Sequence, residues 1–295
     1  MNMTTAGVEH LQGNKIQLTV LVENSVAFPF LPGNLQGLLG EHGLAVLIDN
    51  GREQILYDTG RGRTLLGNIE QSGHRAENIE KVVISHGHKD HTGALLPLLQ
   101  SRGKTEVFCH PGIFDEKYGK NGSRMNYIGV PFSVKELEEA GAVFKFNRKT
   151  LAVSERVALS GPIPRVHAWE EDEGSFFIRD GETFVRDGFE DEQALFIHSD
   201  SGLVIVTGCG HAGIINTIEH AVSCFGAKNI LAVVGGLHLS GASAARLALT
   251  VEHLKRFEID KFVVGHCTGF EAMCRLQREF KEKVMPLNAG AQLEF

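Results

Sequence analysis

Apolar positions alternate with polar ones through Ile16-Gln17-Leu18-Thr19-Val20, the period-2 pattern of a half-buried strand that continues into Leu21-Val22. Residues 44–49 and 54–57 read as paired strands around Asn50-Gly51, a dipeptide that readily takes the positive φ values a tight hairpin requires. A short apolar strand over 81–85 runs straight into a histidine-rich stretch. A helix is predicted over 93–101, a strand over 106–109, and a helix over 134–140 that Gly141 ends. From 142 onward the pattern turns to strands: 142–146, 151–153, 156–160 and 175–178. A second hairpin, 194–198 with 203–207, turns at Asp200-Ser201-Gly202. Three helices follow, over 214–225, 242–257 and 269–283, with buried strands over 229–234 and 261–264 between them.

The order is strands, then mixed helix and strand, then the same again. Two such halves bury their apolar faces by stacking sheet on sheet with helices outside. The predicted class is therefore α/β, a four-layer α/β/β/α sandwich in which residues 1–295 form one domain, with 1–14 as a tail or edge. Residues 111–132 are rich in Gly, Asn, Lys and Arg and show no clear period. A structureless stretch of that length is usually functional, and it is read here as an active-site loop.

Composition narrows the function. A chain of 295 residues with 42% hydrophobic content can bury a large core. A formal charge of -7 with the two signs interspersed argues against a nucleic-acid partner. It leaves room for an anionic small molecule, because a local cation or metal overrules the global balance. Cys109, Cys209, Cys224, Cys267 and Cys274 are odd in number and contain no Cys-x-x-Cys pair, which fits a reducing cytoplasm rather than a disulfide framework. The N-terminal residues lack a basic segment followed by an apolar one, and no apolar run reaches membrane-spanning length. No membrane partner is expected.

The candidate chemistry lies at Ser85-His86-Gly87-His88-Lys89-Asp90-His91-Thr92-Gly93. His86 and His88 stand two apart at a strand end and project to one side in extended backbone, so both imidazoles can reach one cation. Asp90 and His91 follow where the chain turns, placed for a second cation. Imidazole and carboxylate donors suit zinc first, with iron or manganese as alternatives. The plainer reading, a histidine-rich surface loop, is disfavoured by three His and one Asp within six residues directly after a buried strand.

These residues resemble the signature of the metallo-β-lactamase superfamily. Ile55-Leu56-Tyr57-Asp58-Thr59-Gly60 is similar to its first motif, which implies that Asp58 supports the metal loop from behind. His110 lies where the family often carries a His-Pro pair near the pocket rim. Val206-Thr207-Gly208-Cys209-Gly210-His211 resembles the Thr-Gly-Asp motif, with Cys209 where a metal-bridging Asp commonly sits. Val264-Gly265-His266-Cys267-Thr268-Gly269 resembles the last ligand motif. A Thr-Pro-Gly-His segment, the usual source of a third histidine, is absent, and His211 is taken as its replacement. The implied ligand set is His86, His88, Asp90, His91, His211 and His266 for one or two divalent transition metals, with Asp58 and Cys209 behind them. A buried small hydrophobe is the default reading of Cys209, as of any free cysteine.

The Gly235-Gly236-Leu237-His238-Leu239 segment, Tyr127-Ile128-Gly129-Val130-Pro131-Phe132 and Gly161-Pro162-Ile163-Pro164-Arg165 resemble one branch of that superfamily. It includes the 7,8-dihydropterin-6-methyl-4-(β-D-ribofuranosyl)-aminobenzene-5′-phosphate synthases. The resemblance implies a transferase acting on a phosphate-bearing small molecule, with diphosphate as leaving group. Asp90 and His238 would be catalytic. His110, Lys117, Lys120, Arg124, Tyr127 and His238 are candidate substrate contacts, and the helix after His211 would turn its N-terminus toward anions. A metallo-hydrolase of phosphoesters, lactones or thioesters is the alternative, and a metal-containing ligand sensor is the non-enzyme alternative.

Overall fold

The structure is a computed structural model that describes residues 15–26, 35–171, 174–227 and 229–295. The N-terminal tail or edge expected at 1–14 lies outside the described residues. Two seven-stranded sheets stack face to face. The first runs, edge to edge, through Gln292–Glu294, Gln17–Val22, Ala45–Asp49, Gln54–Tyr57, Ile79–Val83, Thr105–Cys109 and Ala142–Phe146. The second runs through Val284–Pro286, Glu258–Gly265, Asn229–Gly236, Gly202–Thr207, Leu195–Ser199, Val157–Leu159 and Leu151–Ala152.

The alternation along each strand explains the stacking. Leu18 and Val20 of the first sheet, with Val46 and Ile48, share a fully buried cluster with Leu195, Val204, Val206, Ala232 and Val234 of the second. The opposite faces pack against helices. Leu47, Leu56, Val82 and Val107 meet Leu65, Ile69, Leu95, Leu98 and Leu99 from the helices Leu65–Gln71 and Leu95–Arg102. Phe196, Ile205, Val233 and Phe262 meet Ile215, Ile218, Val251, Leu254 and Leu276 from Ile214–Phe225, Ala244–Leu254 and Phe270–Phe280. Each fully buried aliphatic side chain contributes roughly 1.5–3 kcal/mol of transfer free energy. This is the α/β/β/α sandwich the sequence pattern predicts. Among the described residues no helix is long and apolar enough to cross a membrane.

Two features depart from the sequence reading. The last strand, Gln292–Glu294, returns to pair antiparallel with Gln17–Val22, the first described strand. More consequential is the segment read as an unstructured loop. Lys117–Asn121 and Arg124–Tyr127 form a hairpin, and Phe176–Asp180 with Thr183–Arg186 extends it into a separate four-stranded sheet. Asn121-Gly122, with Gly122 at φ 58°, is a hairpin turn signal of the same kind as Asn50-Gly51.

In the second sheet, Gly202–Thr207, Asn229–Gly236 and Glu258–Gly265 are parallel and in register, Thr207 opposite Gly235 and Gly236 opposite Gly265. Their C-terminal ends therefore open at one edge. The loops carrying Cys209, His238 and His266 meet there with the loop after Ile79–Val83.

Candidate metal centre

The loop after Ile79–Val83 is fixed before it reaches its histidines. Asp58 accepts hydrogen bonds from the Ser85 backbone N–H at 2.7 Å and from the Ser85 hydroxyl at 2.7 Å. Gly87 and Gly208 are required by space. A Cβ on Gly87 would stand 2.2 Å from the Ile113 carbonyl oxygen, and one on Gly208 2.3 Å from Ser85 Oγ. Among the described residues, five non-glycine residues have positive φ; Asp58, Phe189, His238 and His266 surround this site, and Lys281 follows the helix Phe270–Phe280. Such conformations cost free energy and persist where surrounding contacts impose them.

His86, His88 and His211 form the first donor set. Their ring centroids lie 4.6, 5.0 and 5.1 Å apart, close to an equilateral triangle. All three side chains are buried, and His86 Nε2, His88 Nε2 and both ring nitrogens of His211 have no hydrogen-bond partner. Each unsatisfied buried polar atom costs about 1–3 kcal/mol. A cation that accepts their lone pairs would account for them: donor atoms of His86, His211 and Cys209 lie within 4.8 Å of one another, with the His88 ring beside them. Burial, then the neighbouring histidines, hold His86 and His211 well below the usual imidazole range. Burial likewise pushes His88 down to about 3. Neutral imidazole is the form that ligates metal.

His91, His266 and Asp90 form the second set. His91 Nε2 lies 3.2 Å from His266 Nε2, and Asp90 Oδ2 lies 3.8 and 3.6 Å from these two nitrogens. Burial would lower His91, but the Asp58 and Asp90 carboxylates outweigh it and raise the group to about 9. Burial would raise Asp90, but His91, His266 and His88 hold its carboxyl well below the usual range. Asp90, His91 and His266 thus place a carboxylate beside two imidazoles, a donor set suited to a transition metal, and an ion there would displace the proton that His91 otherwise carries. Cys209 lies between the two sets, its Sγ 3.2 Å from His91 Nε2 and 3.3 Å from His266 Nε2.

The segment Asp191-Glu192-Gln193, which the sequence reading passed over, buttresses the centre. Asp191 accepts a 2.8 Å hydrogen bond from the Gly87 N–H, between His86 and His88. Glu192 accepts the N–H groups of His211, at 2.7 Å, and of Ala212. The Gln193 N–H donates to the Ser85 carbonyl at 2.9 Å. Phe189, just upstream, stacks on His211 at 3.9 Å and 10°.

A cavity of about 190 Å³ opens over the second set, walled by Phe176, Ile128, His238, Cys267, His42, Arg61 and Lys89 as well as the metal-binding candidates. The Arg61 Nη1–H donates to His42 Nδ1 at 3.1 Å, and His42 Nε2 faces Asp90 Oδ2 at 3.5 Å. His42 and Arg61 carry no local signal in a single sequence, since the fold brings them to the site; Lys89 lies within the histidine segment itself.

The substrate candidates divide. His238 lines this cavity, and residue 128 brings the 111–132 segment to its wall. Lys117 does not reach it. It is only 1% exposed and pairs with Asp187 at 2.7 Å and Asp191 at 2.9 Å, so its charge is spent inside the protein. Lys120 and Arg124 stand exposed on the hairpin, and Tyr127 donates its hydroxyl to the Val130 carbonyl at 2.7 Å; none of the three lines the cavity. His110 faces a separate cleft beside Arg148. The helix Ile214–Phe225 is also unavailable to an anion, because Glu170 already accepts the N–H groups of Ile215 and Asn216 at its start.

The family described as the metallo-beta-lactamase superfamily matches residues 39–266. A 7,8-dihydropterin-6-methyl-4-(beta-D-ribofuranosyl)-aminobenzene-5'-phosphate synthase of Methanocaldococcus jannaschii is 30% identical over 265 residues, 86% of this chain and 90% of that protein. A solved structure described as a metal-dependent hydrolase of the beta-lactamase superfamily is 31% identical, with TM-score 0.81, covering 95% of this chain and 99% of the other. The metallo-beta-lactamase fold protein YhfI of Bacillus subtilis is 12% identical with TM-score 0.59, covers 96% and 100% of the two chains, and shares the fold.

Proposed function

The chain belongs to the metallo-beta-lactamase superfamily, and from that premise we propose that it is a metal-dependent enzyme acting on a small phosphate-bearing substrate. The observation that carries the proposal is a pair of donor clusters, His86 with Cys209 and His211 and His91 with Cys209 and His266, beside a cavity edged by Arg61 and Lys89. His86, His88 and His211 hold one divalent ion and Asp90, His91 and His266 a second, zinc first among iron and manganese. When bound, such ions supply Lewis-acid stabilisation of negative charge building on substrate oxygens.

The protein's own residues do the rest. Arg61 and Lys89 take the place assigned above to Lys117, Lys120 and Arg124, offsetting the charge of a phosphate at the cavity mouth. Phe176 and Ile128 offer apolar walls to an aromatic ring. Asp90 orients the incoming group, and His238 stands in the wall where a proton must be given or taken. Asp58 fixes the ring of His91 through a 2.7 Å contact to Nδ1. The reaction is a transfer of the synthase type, as the phosphate-named relative suggests. Free cysteines suit a cytoplasmic setting.

Hydrolysis is the second reading, favoured by the 31% identical structure described as a hydrolase. One experiment separates the readings. Metal-loaded protein is given a phosphorylated aminobenzene riboside and a pterin carrying a diphosphate leaving group. Diphosphate release that requires both substrates supports transfer. Release without the riboside supports hydrolysis. Absence of any turnover that chelation abolishes and metal restores overturns both.

A further inference from the structure

Resting on the reading of a two-metal centre, we propose that Cys209 is itself a ligand, its sulfur bridging the two metal positions. A buried cysteine is by default a small hydrophobe. The surroundings of this one are different in kind. Its sulfur faces His91 Nε2 at 3.2 Å and His266 Nε2 at 3.3 Å, and those two nitrogens are 3.2 Å from each other.

The Nδ1 side of each imidazole is already engaged, which leaves the Nε2 side facing the sulfur. The Nδ1–H of His91 points to Asp58 Oδ2 at 2.7 Å, and that of His266 to Asn24 Oδ1 at 3.2 Å. Both Nε2 atoms are aimed at one spot that the Asp90 carboxylate also borders. A cation there would displace the proton that His91 otherwise carries and would be met by both nitrogens, the carboxylate and the sulfur together.

The dimensions fit. Metal–nitrogen bonds of about 2.0–2.1 Å and a metal–sulfur bond of about 2.3 Å at tetrahedral angles give donor-to-donor edges of roughly 3.3–3.6 Å. The three observed edges, 3.2, 3.2 and 3.3 Å, are within a few tenths of an ångström of this. Asp90 Oδ2, at 3.6 and 3.8 Å from the two nitrogens, supplies the fourth corner. The same sulfur also lies within 4.8 Å of donor atoms of both His86 and His211, so one atom can serve both sets. This is where the superfamily resemblance places a bridging aspartate. On coordination the thiol releases its proton to water, and the thiolate electron pairs are shared with the metals. A sulfur in place of a carboxylate oxygen shifts the preference of the centre toward softer ions such as zinc.

Cys267 is the internal control. Its thiol donates to the Cys209 carbonyl at 3.1 Å, and it sits beside His238 in the cavity wall. The test is cobalt substitution of the full-length protein, read by metal content and by the near-ultraviolet thiolate-to-cobalt charge-transfer band. Wild type and Cys267→Ser are expected to bind two cobalt ions and show the band. Cys209→Asp is expected to keep two ions and lose the band. Cobalt X-ray absorption of the wild type, which needs no variant, should show sulfur at about 2.3 Å. Two bound ions without band or sulfur scatterer would overturn the bridge and leave the metal centre intact, as would a band that survives Cys209→Asp. Failure of the wild type to bind cobalt at all would overturn both.

Discussion

Lys117→Met is the most informative stability perturbation. Lys117 is 1% exposed and its ammonium lies between Asp187 and Asp191, both with side chains under 5% exposed. Burial would lower its pKa, but the two carboxylates outweigh it and hold the ammonium above its ordinary value. Methionine keeps the shape of the stem and removes the charge, stranding two buried carboxylates. Breaking a buried pair by deleting one partner costs about 3–5 kcal/mol, a large share of a typical stability of about 5–15 kcal/mol. Lys120, three residues along the same hairpin and exposed, is the control: Lys120→Ala should change stability by less than about 0.5 kcal/mol. The assay is urea denaturation of metal-free protein in chelator, followed by circular dichroism and by the single tryptophan, Trp169. Chelator is needed because bound metal adds its own stabilisation. The sign with pH is definite. Burial raises Asp191, with Lys117 pulling it back. In the variant Asp191 therefore favours protonation more strongly, and the deficit should shrink as pH falls into the carboxylate range. Lys117→Met with stability within about 1 kcal/mol of wild type at pH 7 would refute the reasoning.

Three further outcomes follow from the same contacts. Asp58→Asn leaves His91 without its anionic partner and should weaken metal binding about 10–100-fold by competition with a chelating dye; unchanged affinity would contradict the role given to Asp58. Gly87→Ala forces a Cβ to 2.2 Å from the Ile113 carbonyl, so the protein should lose metal and show a lower Tm, whereas a Tm equal to wild type would show that the loop has room to shift. Because the folded-state pKa of His88 is depressed to about 3, the unfolded chain binds its proton first, and metal-free stability should fall as pH drops from about 6.5 toward 3. His88→Gln should flatten that slope by up to about 1.4 kcal/mol per pH unit, and an unchanged slope in urea titrations would refute the assignment.

The legibility of the sequence followed the range of the interactions. The strand signals at 16–22 and 44–57 and the helices of the C-terminal half arise from neighbours along the chain, and they match the structure to within a few residues. The histidine cluster was legible because four donors crowd into six residues. His211 and His266 were reachable because each follows a strand whose C-terminal end opens at the same edge. The cations were not legible. Nothing local distinguishes Lys117 from Lys120; only Asp187 and Asp191, some 70 residues away, decide that one is buried and the other exposed. His42 and Arg61 reach the Lys89 side of the cavity only through the fold, from loops far from it in sequence. The positive φ values of His238 and His266 are likewise imposed by packing rather than by residue type, since neither is a glycine.

The most direct test of the central claim is anomalous diffraction at the metal absorption edge, on crystals of protein purified without added metal and then loaded with zinc. Two peaks are predicted, one at the convergence of His86, His88 and His211 and the other within reach of Asp90, His91 and His266. Their absence from both positions, or metal bound only elsewhere on the surface, would contradict the account.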